Sequence, residues 1–359
     1  MATHSSLPNS NPEMAGMRPP APSLENSLRH LGRAVSFHLK NDRENALKAL
    51  EIAEQTGGNP AEILAARGQI FFELQRFEEA AEAYKELAVL RPASAEVQVV
   101  LGLSLYNLER FADALQAFRA AEELDPKNVN AQVAAGTCLL RLNKPTEALK
   151  EFKATLSTAP RSTAAMFGEA VSLQMGWEFD EAASAYERLL AITPDAQDPI
   201  VNMIGIGLQR KDYDVVEKYA HRLLALRPDS VPALEGLAAA AFARDDAKSA
   251  AEYTKRLTQL APESHDHWFN FGVACQKAGR LDDAIEAYKA AAVIRPDSPA
   301  VHLNLGVAFE QSDRLEEARA AFGRASNLLP DRDDLRLQMA WLAERQKQGG
   351  EAEIGRAHV

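Results

Sequence analysis

The sequence predicts an all-α solenoid of tandem helix-turn-helix repeats, and three observations carry that reading. Eight prolines, Pro92, Pro126, Pro160, Pro194, Pro228, Pro262, Pro296 and Pro330, recur at a constant spacing of 34 residues, without an insertion or deletion. Between consecutive prolines the apolar residues fall into two stretches of helical period separated by a short break. The composition, 46% apolar and 25% charged over 359 residues, is that of a chain able to bury a substantial core.

Taken in order, residues 1–26 are rich in Pro, Ser and Asn, show no period and are expected to be disordered. Within them Pro19 to Pro22 form a PxxP pattern, which reads as a solvated linker or as a polyproline ligand. A divergent first repeat covers 27–60, and eight repeats follow from 61 to 332. In the repeat ending at Ser298, Trp268, Phe271, Gly272 and Cys275 share one face of a first helix, and "KAGR" then breaks the pattern. Ala284, Tyr288 and Ala291 form the stripe of the second helix, which Pro296 ends because proline has no amide hydrogen to donate.

Each recurring place has a mechanical reason. Gly68, Gly102, Gly136, Gly272 and Gly306 share the eighth place, where a missing side chain lets the two helices approach closely. Ala80, Ala114, Ala148, Ala182, Ala250, Ala284 and Ala318 hold the matching place on the second helix. Tyr84, Phe118, Phe152, Tyr186, Tyr288 and Phe322 follow one turn later and fill the space between layers. Ser94, Asn128, Ser162, Ser230, Ser264 and Ser298 stand two residues after a proline, placed to cap the next helix. Acidic residues such as Glu78, Glu79, Asp113, Glu147, Asp282 and Glu316 recur in the first turn of the second helix, where negative charge is favoured.

One repeat departs from this scheme. Over 197–230 the glycine place holds Ile204, the alanine place Val216 and the aromatic place Ala220, with Gly205 and Gly207 inside the helix. It reads either as a hinge or as a drifted repeat packed normally. After Pro330, residues 333–348 are expected to form a capping helix with Leu335, Met339 and Leu342 on one face, and 349–359 a disordered tail. The closing "EIGRAHV" matches an in-frame translation of a sequencing-library adapter, GAG ATC GGA AGA GCA CAC GTC, which would make the tail an artefact and the natural chain longer.

Trp268, Phe271-Gly272, Ala284, Tyr288 and Pro296 together resemble the tetratricopeptide repeat pattern of an aromatic, a Leu-Gly, an Ala, an aromatic and a Pro. An aromatic is expected three residues after the glycine; Phe71 and Phe309 supply it, while Leu105, Leu139 and Cys275 depart conservatively. The resemblance implies a right-handed superhelix whose first helices line a concave side on which partners bind.

Candidates for catalysis are few. The acidic pairs recur in repeat after repeat, as helix-terminus electrostatics requires and an active site does not. His265 and His267 are two apart and share no helix face, so they read as exposed helix-start residues rather than as a metal site. Gly205 and Gly207 lack the third glycine and preceding strand of a dinucleotide loop. Cys138 and Cys275 fall inside apolar helical patterns and read as buried thiols, neither disulfide nor zinc ligands. No cofactor and no metal are predicted. The net charge of −11 disfavours nucleic acid and anionic membranes, and the absence of a bilayer-length apolar run or a signal-peptide layout makes cytoplasm the expected compartment.

What remains is surface. The stripe of each first helix that faces away from the glycine carries Phe72, Val99, Tyr106, Val133, Leu140, Phe167, Val201, Leu208, Phe242, Phe269, Val273, Leu303 and Val307. It is unusually apolar for a solvated face and suggests a groove for an extended or helical apolar segment. Asn202, Asn270 and Asn304 share the sixth place, where the resemblance implies a grip on a bound peptide backbone; a primary amide offers it both donor and acceptor. Lysines of the kind that hold a peptide C-terminal carboxylate are missing, with only Arg141 and Lys277 nearby. Trp177, in the turn of "GWEFDEAA", either caps the adjacent core or projects as an anchor.

These features predict a non-enzymatic scaffold binding a peptide or helix through Tyr106, Leu140, Phe167, Asn202, Phe242, Phe269, Asn270, Leu303 and Asn304. The alternative is the substrate-selecting arm of a larger enzyme, such as a glycosyltransferase, whose catalytic domain lies beyond this chain. Self-association through the ends of the stack is a further expectation.

Overall fold

The computed structural model of the chain describes residues 24–357, and among the described residues there are nineteen α-helices and no strand. They fall into two compact units, one ending at Gly176 and the other beginning at Trp177. The first holds α1 (Leu24–Leu39), α2 (Arg43–Gln55), α3 (Pro60–Glu73), α4 (Phe77–Leu90), α5 (Ala95–Asn107), α6 (Phe111–Leu124), α7 (Val129–Arg141), α8 (Pro145–Thr158) and α9 (Thr163–Met175). The second holds α10 (Phe179–Ile192), α11 (Gln197–Arg210), α12 (Tyr213–Leu226), α13 (Val231–Ala243), α14 (Ala247–Leu260), α15 (His265–Lys277), α16 (Leu281–Ile294), α17 (Pro299–Gln311), α18 (Leu315–Leu328) and α19 (Asp333–Ala357). Within each unit odd-numbered first helices alternate with even-numbered second helices, and neighbours in sequence pack against one another.

Both ends differ from the sequence reading. Helix α1 already includes Leu24 to Asn26, while the rest of the segment expected to be disordered, with its PxxP pattern, lies outside the described residues. At the other end α19 runs past 348 to Ala357, since no proline follows Pro330 to stop it. His358 and Val359 of the adapter-like heptapeptide lie outside the described residues.

Glycine and aromatic ring meet as their spacing demands. A Cβ on Gly102 would stand 2.7 Å from the Phe118 ring, one on Gly272 2.5 Å from Tyr288, and one on Gly306 2.7 Å from Phe322. Phe152 of α8 is approached from two helices, by Gly136 of α7 and by Gly168 of α9, whose Cβ would come within 2.7 and 2.3 Å of it. All four rings are almost wholly buried, so none can swing aside into water.

The degenerate repeat exchanges large for small. Ile204 of α11 is buried with Val216 and Ala220, and a Cβ on Gly236 of α13 would meet Ile204 Cγ2 at 2.8 Å and Val216 Cγ1 at 3.2 Å. A branched side chain on the first helix thus fills space that elsewhere belongs to an aromatic on the second. The boundary between the compact units lies at Gly176, before this repeat and not inside it.

Two regularities are only partly visible as residue types. The turn joining first to second helix carries a left-handed residue at one fixed place: Asn41, Gln75, Glu109, Asn143, Trp177, Lys211, Asp245, Gly279 and Asp313, with φ from 55° to 72°. Gly279 adopts it freely and the Asn and Asp residues tolerate it, whereas Gln75, Glu109, Trp177 and Lys211 lose roughly 1–2 kcal/mol there. Second, in four repeats the carbonyl of the stop proline, orphaned at the end of its helix, is bonded by the side chain six residues on. Gln132 donates to Pro126, Trp268 to Pro262, His302 to Pro296 and Arg336 to Pro330, at 3.0, 2.9, 2.7 and 2.6 Å. Where that side chain is apolar, Ile200 or Leu234, an arginine of the following second helix reaches over instead: Arg222 donates to Pro194 and Arg256 to Pro228.

Capping follows the sequence at four places and departs at two. Ser94, Asn128, Ser162 and Ser264 accept from the amide three residues on, at 3.1–3.4 Å. Ser230 and Ser298 make no such bond. After Ser230 the proline Pro232 stands at the second helical position and removes one of the amides a cap would serve; Pro299 at the first position after Ser298 removes none, and nothing in the structure explains the missing bond there.

Candidate functional site

The acidic residues at the start of the second helices are paired locally. Arg76 bonds Glu79, Arg110 bonds Asp113, Lys144 bonds Glu147, Arg280 bonds Asp283 and Arg314 bonds Glu317, each basic residue standing at the N-cap three positions earlier. The Arg76 guanidinium holds the Glu79 carboxyl below the usual carboxylate range, and Arg314 does the same to Glu317. Carboxylates held ionised in this way have no proton to donate at neutral pH. The basic N-cap partners recur as faithfully as the acids, yet the repeat pattern alone did not single them out.

The histidines are less exposed than expected. His265 is buried, stacked parallel on Phe269 at 6.2 Å between ring centroids, with Nδ1 2.8 Å from Asp266. His267 is largely covered and places Nε2 3.2 Å from Glu235. An aromatic neighbour one turn on and a carboxylate on the preceding first helix draw both rings inward. Among the described residues no group of three or more His, Cys, Asp or Glu could hold a metal ion. Gly205 and Gly207 lie within α11 and form no phosphate loop. Both cysteines are free and fully buried, and burial pushes the thiols up to about 12 for Cys138 and about 11 for Cys275.

The apolar stripe of the first helices lies closer to the core than the sequence suggested. In the first unit Tyr106 of α5 and Leu140 of α7 are half-buried and pack against the cluster around Phe118 and Phe152. Phe167 of α9 is also half-buried. Tyr106 meets Phe111 edge-on at 5.3 Å, and the Arg141 guanidinium lies over both rings, 5.8 Å from Tyr106 and 4.4 Å from Phe111. In the second unit Phe242, Phe269 and Leu303 are half-buried against the cluster around Tyr288 and Phe322, and Phe269 stands 5.9 Å from Tyr288. Successive first helices approach closely enough to shield each other's stripe, a spacing that periodicity does not encode.

The three asparagines, all on first helices of the second unit, differ in what their amides do. Asn202 donates to the Tyr186 hydroxyl at 2.9 Å, and Asn304 to its own helix at Ala300, 3.1 Å away. Asn270 is exposed and makes no hydrogen bond among the described residues. Of the two cations near the stripe, Lys277 is engaged with Asp245 at 2.8 Å, and Arg141 covers the Tyr106 ring. Neither is set to clamp a free carboxylate.

Trp177 does not cap the core. It is 75% exposed, sits at the left-handed turn place with φ 65°, and touches Phe179 edge-on at 5.7 Å. A left-handed backbone directs the side chain away from the helices it joins. No helix among the described residues is long and apolar enough to cross a membrane.

Comparison with known proteins agrees with the repeat geometry. A family model described as "Tetratricopeptide repeat" matches residues 40–95, 99–160 and 133–197, and one described as "TPR repeat" matches 272–313; together they span more than half of the chain. No curated protein matches the sequence. Similar solved structures include a tetratricopeptide repeat protein from Parabacteroides merdae ATCC 43184, 17% identical over 69% of this chain and 98% of its own, with a TM-score of 0.48. PilW, a widely conserved type IV pilus biogenesis factor, is 19% identical over 58% of this chain and 96% of its own, with a TM-score of 0.49. MamA from Desulfovibrio magneticus RS-1 is 18% identical over 48% of this chain and 98% of its own, with a TM-score of 0.46.

Proposed function

The chain belongs to the tetratricopeptide repeat family, and we propose that within it this chain is a non-catalytic scaffold holding a peptide or helix of a partner protein on its first-helix face. The observation that carries the reading is the half-buried apolar row of the first helices, broken by asparagine amides of which Asn270 remains unengaged. Half-buried rings are preorganised: they offer apolar area to a partner while losing little side-chain entropy on binding. The polar component fits an extended backbone, since one primary amide can donate to a peptide carbonyl and accept from its N–H.

The test is affinity capture from a native lysate with the wild-type chain and with Asn270→Ala and Tyr106→Ser, read by quantitative mass spectrometry. A genuine partner falls away with at least one variant while circular dichroism stays unchanged. Partners retained equally by both variants contradict the assignment of the face.

A second reading, self-association, has its own observation. Leu337 and Trp341 lie one turn apart on α19 and are 73% and 50% exposed, an apolar outer face on a helix whose other side carries the buried Leu335 and Leu342. Light scattering over a dilution series, comparing wild type with Leu337→Ser/Trp341→Ser, distinguishes a monomer from such a contact.

A further inference from the structure

The second unit has another surface, on the side of its second helices. Between α16 and α18, floored by α17, runs an open groove of about 670 Å³. Its walls repeat one order. On α16 Lys289 is followed one turn later by Ala292 and Val293, and on α18 Arg324 is followed one turn later by Asn327 and Leu328. Val293 is 82% exposed and Leu328 partly so, while Leu305 and His302 of α17 form the base. No carboxylate lines the groove, although the chain as a whole carries a net charge of −11.

Arg324 is unengaged for a reason that can be traced. It stands at the same repeat place as Arg222 and Arg256, whose guanidinium groups each bond the carbonyl of a preceding stop proline. In the repeat of Arg324 the corresponding carbonyl, Pro296, is already bonded by His302 at 2.7 Å. A carbonyl only accepts, so His302 Nε2 is the donor, and Arg324 is left with no hydrogen bond or ion pair among the described residues. Lys289 pairs with an exposed Glu286 three residues back on its own helix, at 2.8 Å, and its ammonium lies 5.9 Å from the Phe309 ring centroid; the surface ion pair is of small worth and an incoming anion can replace it.

We propose that this groove is a second protein-binding surface, and that its ligand is a partner segment carrying an acidic side chain one helical turn from a large apolar one. The carboxylate pairs with Arg324, bidentate by preference for the planar guanidinium, with Lys289 on the opposite wall. The apolar side chain covers Val293 and Leu328, about 5.4 Å further along, the rise of one turn. The substitution of His302 for an apolar residue at the fourth place of its repeat is thus what turns a structural arginine into a recognition arginine.

The test is selection of displayed peptides from a random library against the full chain, followed by fluorescence anisotropy of the selected peptides. The expected result is enrichment of Asp or Glu three or four positions from Leu, Ile or Phe. Binding is expected to weaken about tenfold or more in Arg324→Gln, the loss of one charge-assisted hydrogen bond, and also in Val293→Ser. It persists in Asn270→Ala, which separates this surface from the first-helix face. Both altered residues are exposed, so circular dichroism of the variants matches wild type. Absence of any selected peptide that pairs Asp or Glu with an apolar residue at that spacing, or binding of such peptides that survives Arg324→Gln and Val293→Ser together, would overturn the proposal.

Discussion

Replacing Gly168 by alanine adds one methyl group at the most crowded place in the first unit. Its carbon would lie 2.3, 2.4 and 2.6 Å from three atoms of the Phe152 ring, against an optimum near 3.5–4.0 Å for carbon pairs. The ring must withdraw by about 1 Å, yet it is buried and already rests against Gly136 on α7. Overpacking of this kind costs about 1–3 kcal/mol, from which roughly 1 kcal/mol is recovered because alanine favours the helix over glycine. The net expectation is a loss of about 0–2 kcal/mol. Gly205→Ala is the control, since a Cβ there meets nothing within 4 Å and only the gain of about 1 kcal/mol remains. The assay exploits Cys138, a buried thiol in the same cluster as Phe152, which reacts only when that part of the stack opens. Labelling against urea concentration, read at the Cys138 peptide by mass spectrometry, reports local opening even if a repeat array unfolds in steps. Labelling at lower urea in Gly168→Ala, and partial recovery in Gly168→Ala/Phe152→Leu, are expected. Gly168→Ala more resistant than wild type, by the gain of about 1 kcal/mol expected where a Cβ meets nothing, would refute the close glycine–ring contact.

Trp177→Gly is expected to raise thermal stability by about 1 kcal/mol, because an exposed side chain is lost and a left-handed backbone is relieved; a lowered melting temperature would show that the indole caps the core after all. Glu122 supplies a pH dependence. Burial, then the nearby Glu151, push its carboxyl from 4.5 up to about 7 against the opposing pull of Arg119, and its Oε1 has no partner. The folded state therefore holds a proton that the unfolded state releases, so this contribution is present below about pH 4.5 and is lost as pH rises through about 7. Glu122→Gln should gain stability over wild type progressively across that window and hold the gain above it; urea midpoints that keep the same difference at every pH would exclude the mechanism.

Much of this architecture was legible because repetition turns single residues into columns. The glycine and aromatic columns, Gly272 with Tyr288 and Gly306 with Phe322, meet in space as their spacing implies. The left-handed turn place was only half legible, since Gly279 and the Asn and Asp residues at 41, 143, 245 and 313 favour it while Gln75, Glu109, Trp177 and Lys211 give no sign of it. The proline-carbonyl bonds were hidden for a related reason: glutamine, tryptophan, histidine and arginine do one job from one place, and Arg222 and Arg256 do it from another. For the candidate site, periodicity located the stripe on the first helices, but how deeply Phe269 and Tyr106 sink depends on the distance to the next helix. That distance is a property of the stack rather than of any repeat.

The scaffold reading is tested most directly by a footprint. A peptide selected on the full chain from a library lacking Asp and Glu, which cannot use the groove beside Arg324, would be bound at saturation and the chain followed by hydrogen exchange. Slowed exchange in first helices, with α15 around Asn270 among them, and loss of the effect in Asn270→Ala are the results expected. Protection confined to the second helices would contradict the account.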